Sequence, residues 1–448
     1  MPRTPSRLAT PSRGDGVVAL ASDVFGGPLG RYAGLGRRPW TYAAAVLSAL
    51  ASVLVALGIV QKNHCVSAGW STPGSLWRAC YSDLPAAVTS QPGASPWSTG
   101  GAGHTQPVLT AFLTWVLRRL TPSGVGLAEQ RWYFALAAIV IALLIAATVV
   151  ATAALLEGTP WQAAHVALSP VLITASLVSL DIFGVALMTV GLLAWHRRYP
   201  LVAGLLLGAA ISARTFPAVV LIAVVLVAWR DGRRQDLGRL LGGVAVAIVV
   251  SLCMAYAVGG DPMEPYQAWS DQAAGYGSPW LIAQIAHVTI PANALTALAV
   301  IGWVLALVVG VYLATDRERN LPVAPLALAM LVVVMVTGKS MPVQNALWVL
   351  PLIALCGLSW RDHLVWAGIE VAYFAGVWMY VGTSFNPEKA LPGAAYSILT
   401  MARLLALVGL VWRAILTHGE LERERIVADV VPEWWLPEPA GATAVRPD

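Results

Sequence analysis

The chain has 448 residues, of which 58% are hydrophobic and only 11% are charged. Soluble domains usually carry about 25% charged residues, so a chain of this composition does not cover a water-facing surface of its own size. The formal net charge of +5 is small, and the basic residues border apolar runs instead of forming a continuous stripe, which argues against a nucleic-acid-binding protein.

Long apolar stretches follow one another from Tyr42 to His418. A run of about 20 apolar residues spans a bilayer as a helix, and about a dozen candidates are present. The sequence therefore predicts an all-α, polytopic transmembrane helical bundle with about 12 crossings and one re-entrant or broken helix. We expect the transmembrane domain over residues 40–417, between a disordered cytoplasmic tail at 1–39 and a cytoplasmic tail at 418–448.

The first predicted span, 41–60, leads into a polar loop at 61–104 that contains Cys65 and Cys80. Two cysteines in one loop can form a disulfide if the loop lies outside the cytoplasm. Closing about 15 residues would then stabilise the loop by roughly 3 kcal/mol. Two free thiols are the alternative.

Two more spans are predicted next, a short one at 105–120 that ends in two arginines and one at 132–156 that begins after Arg131. Arginine and lysine concentrate in the cytoplasmic loops of membrane proteins. These arginines therefore predict a cytoplasmic turn between the two spans and place the 61–104 loop outside.

The stretch 161–178 is apolar but interrupted at Ser169-Pro170. The predicted spans beyond it are 182–195, 200–213, 216–229, 240–258, 294–314, 321–337, 345–358, 364–383 and 395–417. Alternate loops between these spans hold most of the basic residues and would be cytoplasmic, which places the 259–292 loop outside. This assignment requires 161–178 to enter and leave on the same side, so we predict a re-entrant or broken helix there. A full crossing is the alternative.

Several features favour a structural role. Gly204 and Gly208 form a GxxxG pair that is typical of close helix packing. Glu370 and Arg403 lie within predicted spans, where a structural ion pair would satisfy both charges. No Walker loop, GxGxxG turn or HExxH helix is present, which argues against ATP-driven transport and zinc proteolysis.

Polar and ionisable side chains converge on the predicted external face, at the ends of the spans. An ionisable group costs roughly 2.5–3.5 kcal/mol at the centre of a membrane helix, so each of these groups needs a partner or water. Asp83, next to the cysteine pair, is a candidate general base, with an N-cap of a short helix as the alternative. For Asp181, which directly precedes a predicted helix, helix capping is the favoured interpretation.

Arg214 and Lys339 are cations at the predicted outer boundary, where the positive-inside rule gives no reason for basic residues. Binding of a phosphate would explain both, and extension toward lipid headgroups is the alternative. Gln344 is placed either to bind a sugar or to satisfy its own turn. His104 is placed to bind a phosphate or sugar, or to be a solvated loop residue.

Tyr276 belongs to the 259–292 segment, in which aromatic residues alternate with carboxylates. Aromatic rings pack on the apolar faces of sugars and carboxylates accept hydrogen bonds from hydroxyl groups, so this segment is a candidate sugar-binding loop. An aromatic belt at the membrane interface is the equally supported alternative.

Four stretches together resemble the GT-C superfamily of membrane glycosyltransferases, and in particular its actinobacterial α-mannosyltransferase-like branch. They are Cys80-Tyr-Ser-Asp83, LLLGAAISARTFP at 205–217, Tyr276-Gly-Ser-Pro-Trp280, and GKSMPVQNALWVLP at 338–351. The resemblance implies a GT-C-like fold, with Asp83 as catalytic base and with Arg214 and Lys339 near a lipid phosphate. The chain departs from the family pattern before the second predicted span, where it has His104-Thr-Gln106-Pro107.

The resemblance also implies a function. An enzyme of the plasma membrane would move a sugar, mannose in the first instance, from a polyprenyl-phosphate donor to an envelope glycolipid or glycan on the external face. The transfer would be a single displacement with inversion; no cofactor is required by this scheme, and a divalent metal stays open. A transporter or flippase of lipid-linked intermediates, or an inactive family member with a binding role, is the alternative.

Overall fold

The computed structural model describes residues 39–89, 97, 106–257, 259–316 and 318–430, with side chains to residue 420, besides isolated positions before residue 25. This part of the chain is helical and contains no strand, which confirms the predicted all-α class. His104, nearly all of the predicted tail at 1–39 and the end of the chain from 431 lie outside the described residues. The α-helices, in chain order, are α1 Trp40–Gln61, α2 Asn63–Ala68, α3 Gly74–Trp77, α4 Val108–Leu120, α5 Leu127–Leu155, α6 Ala164–Ala167, α7 Val171–Ala175, α8 Asp181–His196, α9 Pro200–Ala213, α10 Pro217–Arg230, α11 Arg234–Ala257, α12 Glu264–Asp271, α13 Pro279–Ile285, α14 Ala292–Thr315, α15 Val323–Thr337, α16 Ala346–Leu355, α17 Trp360–Val381 and α18 Gly393–Val430.

Six of the described helices are long and apolar enough to cross a membrane, namely α1, α5, α11, α14, α17 and α18. Five shorter apolar helices accompany them, which are α8, α9, α10, α15 and the Val343–Leu355 helix that contains α16. Proline opens α9 and α10, where its missing N–H needs no partner and its fixed φ suits the first turn. The chain is thus built around membrane-type helices.

The bundle has two ends, which the contacts of α1 and α5 define. At one end, Arg131 at the start of α5 donates to the carbonyl oxygens of Val66 (2.6 Å) and Ser67 (2.7 Å), just beyond α1. At the other end, Tyr42 at the start of α1 packs edge-on against Trp161, with ring centroids 6.3 Å apart. The two helices are therefore antiparallel. We call the first the Asp83 end and the second the Arg197 end, after residues located there.

The predicted span at 105–120 is wrong. Helix α4 begins near Ala213, where Thr110 Oγ1 donates to the Ala213 carbonyl (2.7 Å), and ends at the Arg118–Glu129 ion pair (2.9 Å), beside Arg131. Both places belong to the Asp83 end, so α4 lies along that end instead of crossing. Thr110, Thr114 and Arg118, spaced four residues apart, give this helix one polar face.

The stretch 161–178 is a broken helix, as one part of the prediction stated, but it does not return to the end at which it starts, which contradicts the predicted re-entrant course. It starts at the Arg197 end, where His165 stacks on Trp360 with centroids 4.4 Å apart. It finishes at the Asp83 end, where the Leu177 carbonyl accepts from Ser82 Oγ (2.7 Å). The helix is broken at Ser169-Pro170, and its backbone is buried by protein, as a break at membrane depth requires.

These two corrections compensate for each other. Helix α4 does not join the two ends of the bundle, whereas the stretch 161–178, through α6 and α7, does. Every later loop consequently stays at the end to which the charge pattern assigned it. The Arg197 end collects the ion pairs Arg197–Glu157, Arg233–Asp236 and Arg413–Asp362.

The predicted glycine packing is confirmed where α9 meets α11. A Cβ on Gly204 would collide with the Leu240 carbonyl oxygen, and one on Gly208 would lie 2.8 Å from the Ala247 Cβ. Only glycine, which has no Cβ, lets the two helix backbones approach this closely. This contact orients α9, whose last residue precedes Arg214.

The loops at the Asp83 end share a small apolar cluster, separate from the main core. Its buried members are Val178, Val343, Tyr373, Phe374, Val377 and Tyr396. These residues come from the end of the broken helix, from the turn before α16, and from α17 and α18. The cluster therefore holds together loops that are far apart in the sequence.

Candidate active site

The segment Tyr81–Asp83 is fixed from one side by the end of α1 and the loop that follows it. Cys65 and Cys80 are joined by a disulfide, with Cα atoms 5.8 Å apart. Gln61 Nε2 donates to the Ala79 carbonyl (2.6 Å), and Lys62 Nζ donates to the Tyr81 carbonyl (2.8 Å). The backbone that leads to Asp83 is thus anchored by one covalent bond and two hydrogen bonds.

The same segment is fixed from its other side by the end of the broken helix. Ser82 Oγ donates to the Leu177 carbonyl, and the Asp83 backbone N–H donates to the Val178 carbonyl at 2.9 Å. Val178 lies three positions before Asp181, the first residue of α8. These hydrogen bonds bring the two acidic residues, almost a hundred positions apart in sequence, to one place.

Asp83 faces four polar side chains. Burial raises the pKa of its carboxyl group, the Tyr81 hydroxyl lowers it by a hydrogen bond, the Asp181 charge raises it, and the charges of Arg214 and Lys62 lower it. Asp83 as a residue is exposed, although the surrounding protein desolvates its carboxyl group. We call Asp83 and these four neighbours, five residues in all, the Asp83 recess.

Asp181 and Arg214 form an ion pair in the recess through Arg214 Nε. The Asp181 side chain is only 4% exposed, whereas that of Arg214 is 22% exposed. Within the described part of the chain, the Nη1 and Nη2 atoms of Arg214 have no hydrogen-bond partner. The carboxylate therefore orients a guanidinium whose remaining donors can bind an anion.

Helix α12 reaches the same recess from the 259–292 loop. Burial raises the pKa of Tyr266, and the nearby Arg214 charge lowers it, which places this phenol within electrostatic range of the guanidinium. The Tyr266 side chain is partly exposed. The aromatic loop predicted from the sequence thus approaches the ion pair through Tyr266.

Among the described residues, no interaction joins Lys339 to Asp83 or Arg214, and its predicted phosphate binding stays a prediction. Its Nζ donates to the carbonyl oxygens of Trp269 (3.1 Å), Ser270 (2.7 Å) and Gln272 (3.2 Å) at the end of α12. An ammonium group has three N–H donors, so all of them are used. The end of α12 covers the Lys339 side chain, which is 1% exposed, and desolvation lowers its pKa. Lys339 holds α12 in place.

Tyr276 and Gln344 lie beside the recess and not in it. The Tyr276 carbonyl accepts from the Met341 N–H (2.9 Å), and its exposed ring meets Tyr380 edge-on at 6.3 Å. Gln344 is half-buried in the turn before α16. Among the described residues, no interaction joins either side chain to Asp83 or Arg214.

The structure adds Lys62 and Tyr81 to the recess, neither of which was predicted as a site residue. The sequence signal for Lys62 was its place directly after a 22-residue apolar helix and before the cysteine loop. The described residues contain no group of three or more His, Cys, Asp or Glu side chains that could hold a metal ion.

Residues 105–338 match the sequence model of glycosyltransferase family 87, a stretch that covers just over half of the chain. The chain belongs to glycosyltransferase family 87. No curated protein matches it. The family match includes Asp181 and Arg214 and begins after Asp83, so the family assignment and the Asp83 recess overlap in the ion pair.

Proposed function

We propose that this family 87 protein transfers a sugar, mannose in the first instance, from a polyprenyl-phosphate donor to an envelope glycolipid or glycan. The observation that carries the proposal is the recess in which Asp83 and the Asp181–Arg214 pair share one end of an apolar helical bundle. A lipid-linked donor can place its chain among membrane helices while its phosphate and sugar reach such a recess.

The proposed donor is a phosphodiester with one negative charge, and the lipid phosphate acquires a second charge as it leaves. Arg214 would bind this phosphate through its free Nη donors, and a fixed cation stabilises the departing dianion more than the bound donor. Asp181 would contribute by holding the guanidinium in place.

Asp83 is the proposed general base. It would take the proton of the acceptor hydroxyl as that oxygen attacks the anomeric carbon, while the bond from carbon to phosphate oxygen breaks with its electron pair. Attack opposite the leaving group gives inversion. A raised carboxyl pKa suits this role, because a base works best when its pKa lies near the working pH.

We further propose that the Arg197 end faces the cytoplasm, with about 12 crossings, both termini inside and the Asp83 end outside the plasma membrane. Arginines dominate the loops of the Arg197 end, as the positive-inside rule requires. At the Asp83 end, Arg118 is bound by Glu129 and Arg131 by backbone carbonyls, so these arginines have local partners. A disulfide also fits an external loop.

The test is Asp83→Asn in membranes supplied with labelled polyprenyl-phosphate mannose. Transfer should fall by about 10²- to 10⁴-fold, the usual contribution of a general base. Glu388→Gln is the matched control, because it neutralises an exposed carboxylate at the same end without touching the recess. Undiminished transfer by Asp83→Asn would remove the proposed base. Parallel assays with glucose and arabinofuranose donors decide the sugar.

A further inference from the structure

Lys62 is a charged side chain in an unusual place. It directly follows α1, and it is 0% exposed. Its Nζ donates one hydrogen bond, to the Tyr81 carbonyl at 2.8 Å, and lies 5.6 Å from the centroid of the Phe374 ring. An ammonium group buried with so few partners is unfavourable unless a negative charge compensates it.

The compensating charge is Asp83. It is the charged group that acts on Lys62, although Lys62 lies beyond ion-pair distance of any carboxylate among the described residues. Arg214, the other cation of the recess, is already paired with Asp181. Both cations act on Asp83, Arg214 more strongly than Lys62, and Lys62 in addition holds the backbone of the segment that carries Asp83.

We propose that Lys62 is a positioning residue for the transfer reaction: its ammonium holds the Tyr81 carbonyl, and with it Asp83, and presents a positive charge to the Asp83 carboxylate. This inference rests on the proposed function. It assigns two tasks to one side chain, a hydrogen bond that fixes the segment and a charge that favours the ionised base.

The titration of the pair supports the second task. Burial lowers the pKa of Lys62 to about 7, against the opposing effect of Asp83. The Lys62 charge in turn lowers the pKa of Asp83, against the larger effect of burial. Of the other groups that face Asp83, Asp181 raises its pKa, and Tyr81 and Arg214 lower it. Without the Lys62 charge, Asp83 would hold its proton up to a higher pH.

Two substitutions separate the hydrogen bond from the charge. Lys62→Gln keeps an N–H donor for the Tyr81 carbonyl but is neutral, whereas Lys62→Met removes both. Lys62→Arg keeps the charge. Lys389→Gln is the control, because Lys389 is exposed at the same end and has a ring contact with Trp77 instead of a place in the recess.

The measurement is the pH profile of sugar transfer in membranes. We expect the acidic limb of this profile to move to higher pH by about one unit in Lys62→Gln and Lys62→Met. This shift is the lower end of the effect that an opposite charge has on the pKa of a nearby carboxyl group. Transfer should therefore be lost mainly at low pH, and the limb should stay in place for Lys62→Arg and Lys389→Gln. Retention of the Cys65–Cys80 disulfide serves as the check on folding.

Two results would overturn the proposal. If Lys62→Gln keeps the parent limb while Lys62→Met loses activity at every pH, the hydrogen bond alone explains Lys62. If both neutral variants keep the parent limb, Lys62 does not act on the base. In either case Asp83→Asn still reports separately on the proposed function, whereas full activity of Asp83→Asn would overturn both.

Discussion

Glu370→Gln should be the most destabilising of the conservative substitutions that we consider. Glu370 and Arg403 are 3% and 1% exposed, and Arg403 Nε lies 2.9 Å and 2.8 Å from the two carboxylate oxygens. The remaining Arg403 nitrogens donate to the carbonyls of Met341 and Pro342. The pair thus ties α17 and α18 to the loop before α16.

The magnitude follows from this burial. Removing one partner of a buried ion pair costs about 3–5 kcal/mol, because the other charge is left without compensation. The glutamine oxygen still accepts from Arg403, and a hydrogen bond is worth about 1 kcal/mol, so we expect the lower end of that range. Glu157→Gln is the matched control, because its pair with Arg197 is almost half exposed and should be worth at most about 1 kcal/mol.

The assay is the free energy of unfolding in mixed micelles, measured by denaturing-detergent titration. The double variant Glu370→Gln with Arg403→Gln should be less destabilised than the sum of the two single variants by about 1–3 kcal/mol, since no charge is left alone. Additive single effects, or a Glu370→Gln variant as stable as Glu157→Gln, would show that the pair is not the buried counter-charge described above.

Two further substitutions test how the loops at the Asp83 end are held. Gly277→Ala should destabilise the protein by more than about 1 kcal/mol and reduce transfer, because φ is +81° there and a Cβ would collide with the Met341 carbonyl. The control is Gly74→Ala, whose added Cβ would meet open space, so its stability should be close to that of the parent. Thermal unfolding measures both variants. Cys80→Ser should lower stability by roughly 3 kcal/mol and impair transfer, because it removes the disulfide. Cys253→Ser, at a free cysteine, should do neither. An active, stable Cys80→Ser protein would show that the disulfide does not position the base.

The membrane-type helices were predictable because their signal is local. An apolar run such as α14 carries its own evidence, since a predominantly apolar helix of 24 residues is long enough to span a bilayer. The helix at 161–178 could not be placed this way. Its pieces are short, and only contacts with Trp360 at one end and Ser82 at the other show that it joins the two ends.

The arginines near α4 show why charge patterns mislead. The positive-inside rule counts arginines in a loop without regard to their local partners. Here Arg118 forms an ion pair with Glu129, and Arg131 donates to a carbonyl beyond α1. The same reasoning applies to Lys339. Its sequence position suggested an available cation, but the C-terminal carbonyls of α12 satisfy all of its donors.

What the sequence by itself determined is the helical class, the membrane environment and the identity of the acids and bases near helix ends, because composition and apolar length act locally. Only the tertiary structure decided which of those charges meet. Asp83 reaches Asp181 and Arg214 through hydrogen bonds to the end of a broken helix. Lys62 comes near Asp83 in space because a disulfide and a hydrogen bond to the Tyr81 carbonyl return the chain to the end of α1. Coulomb interactions depend on distance in space, which the order of residues along a chain does not state.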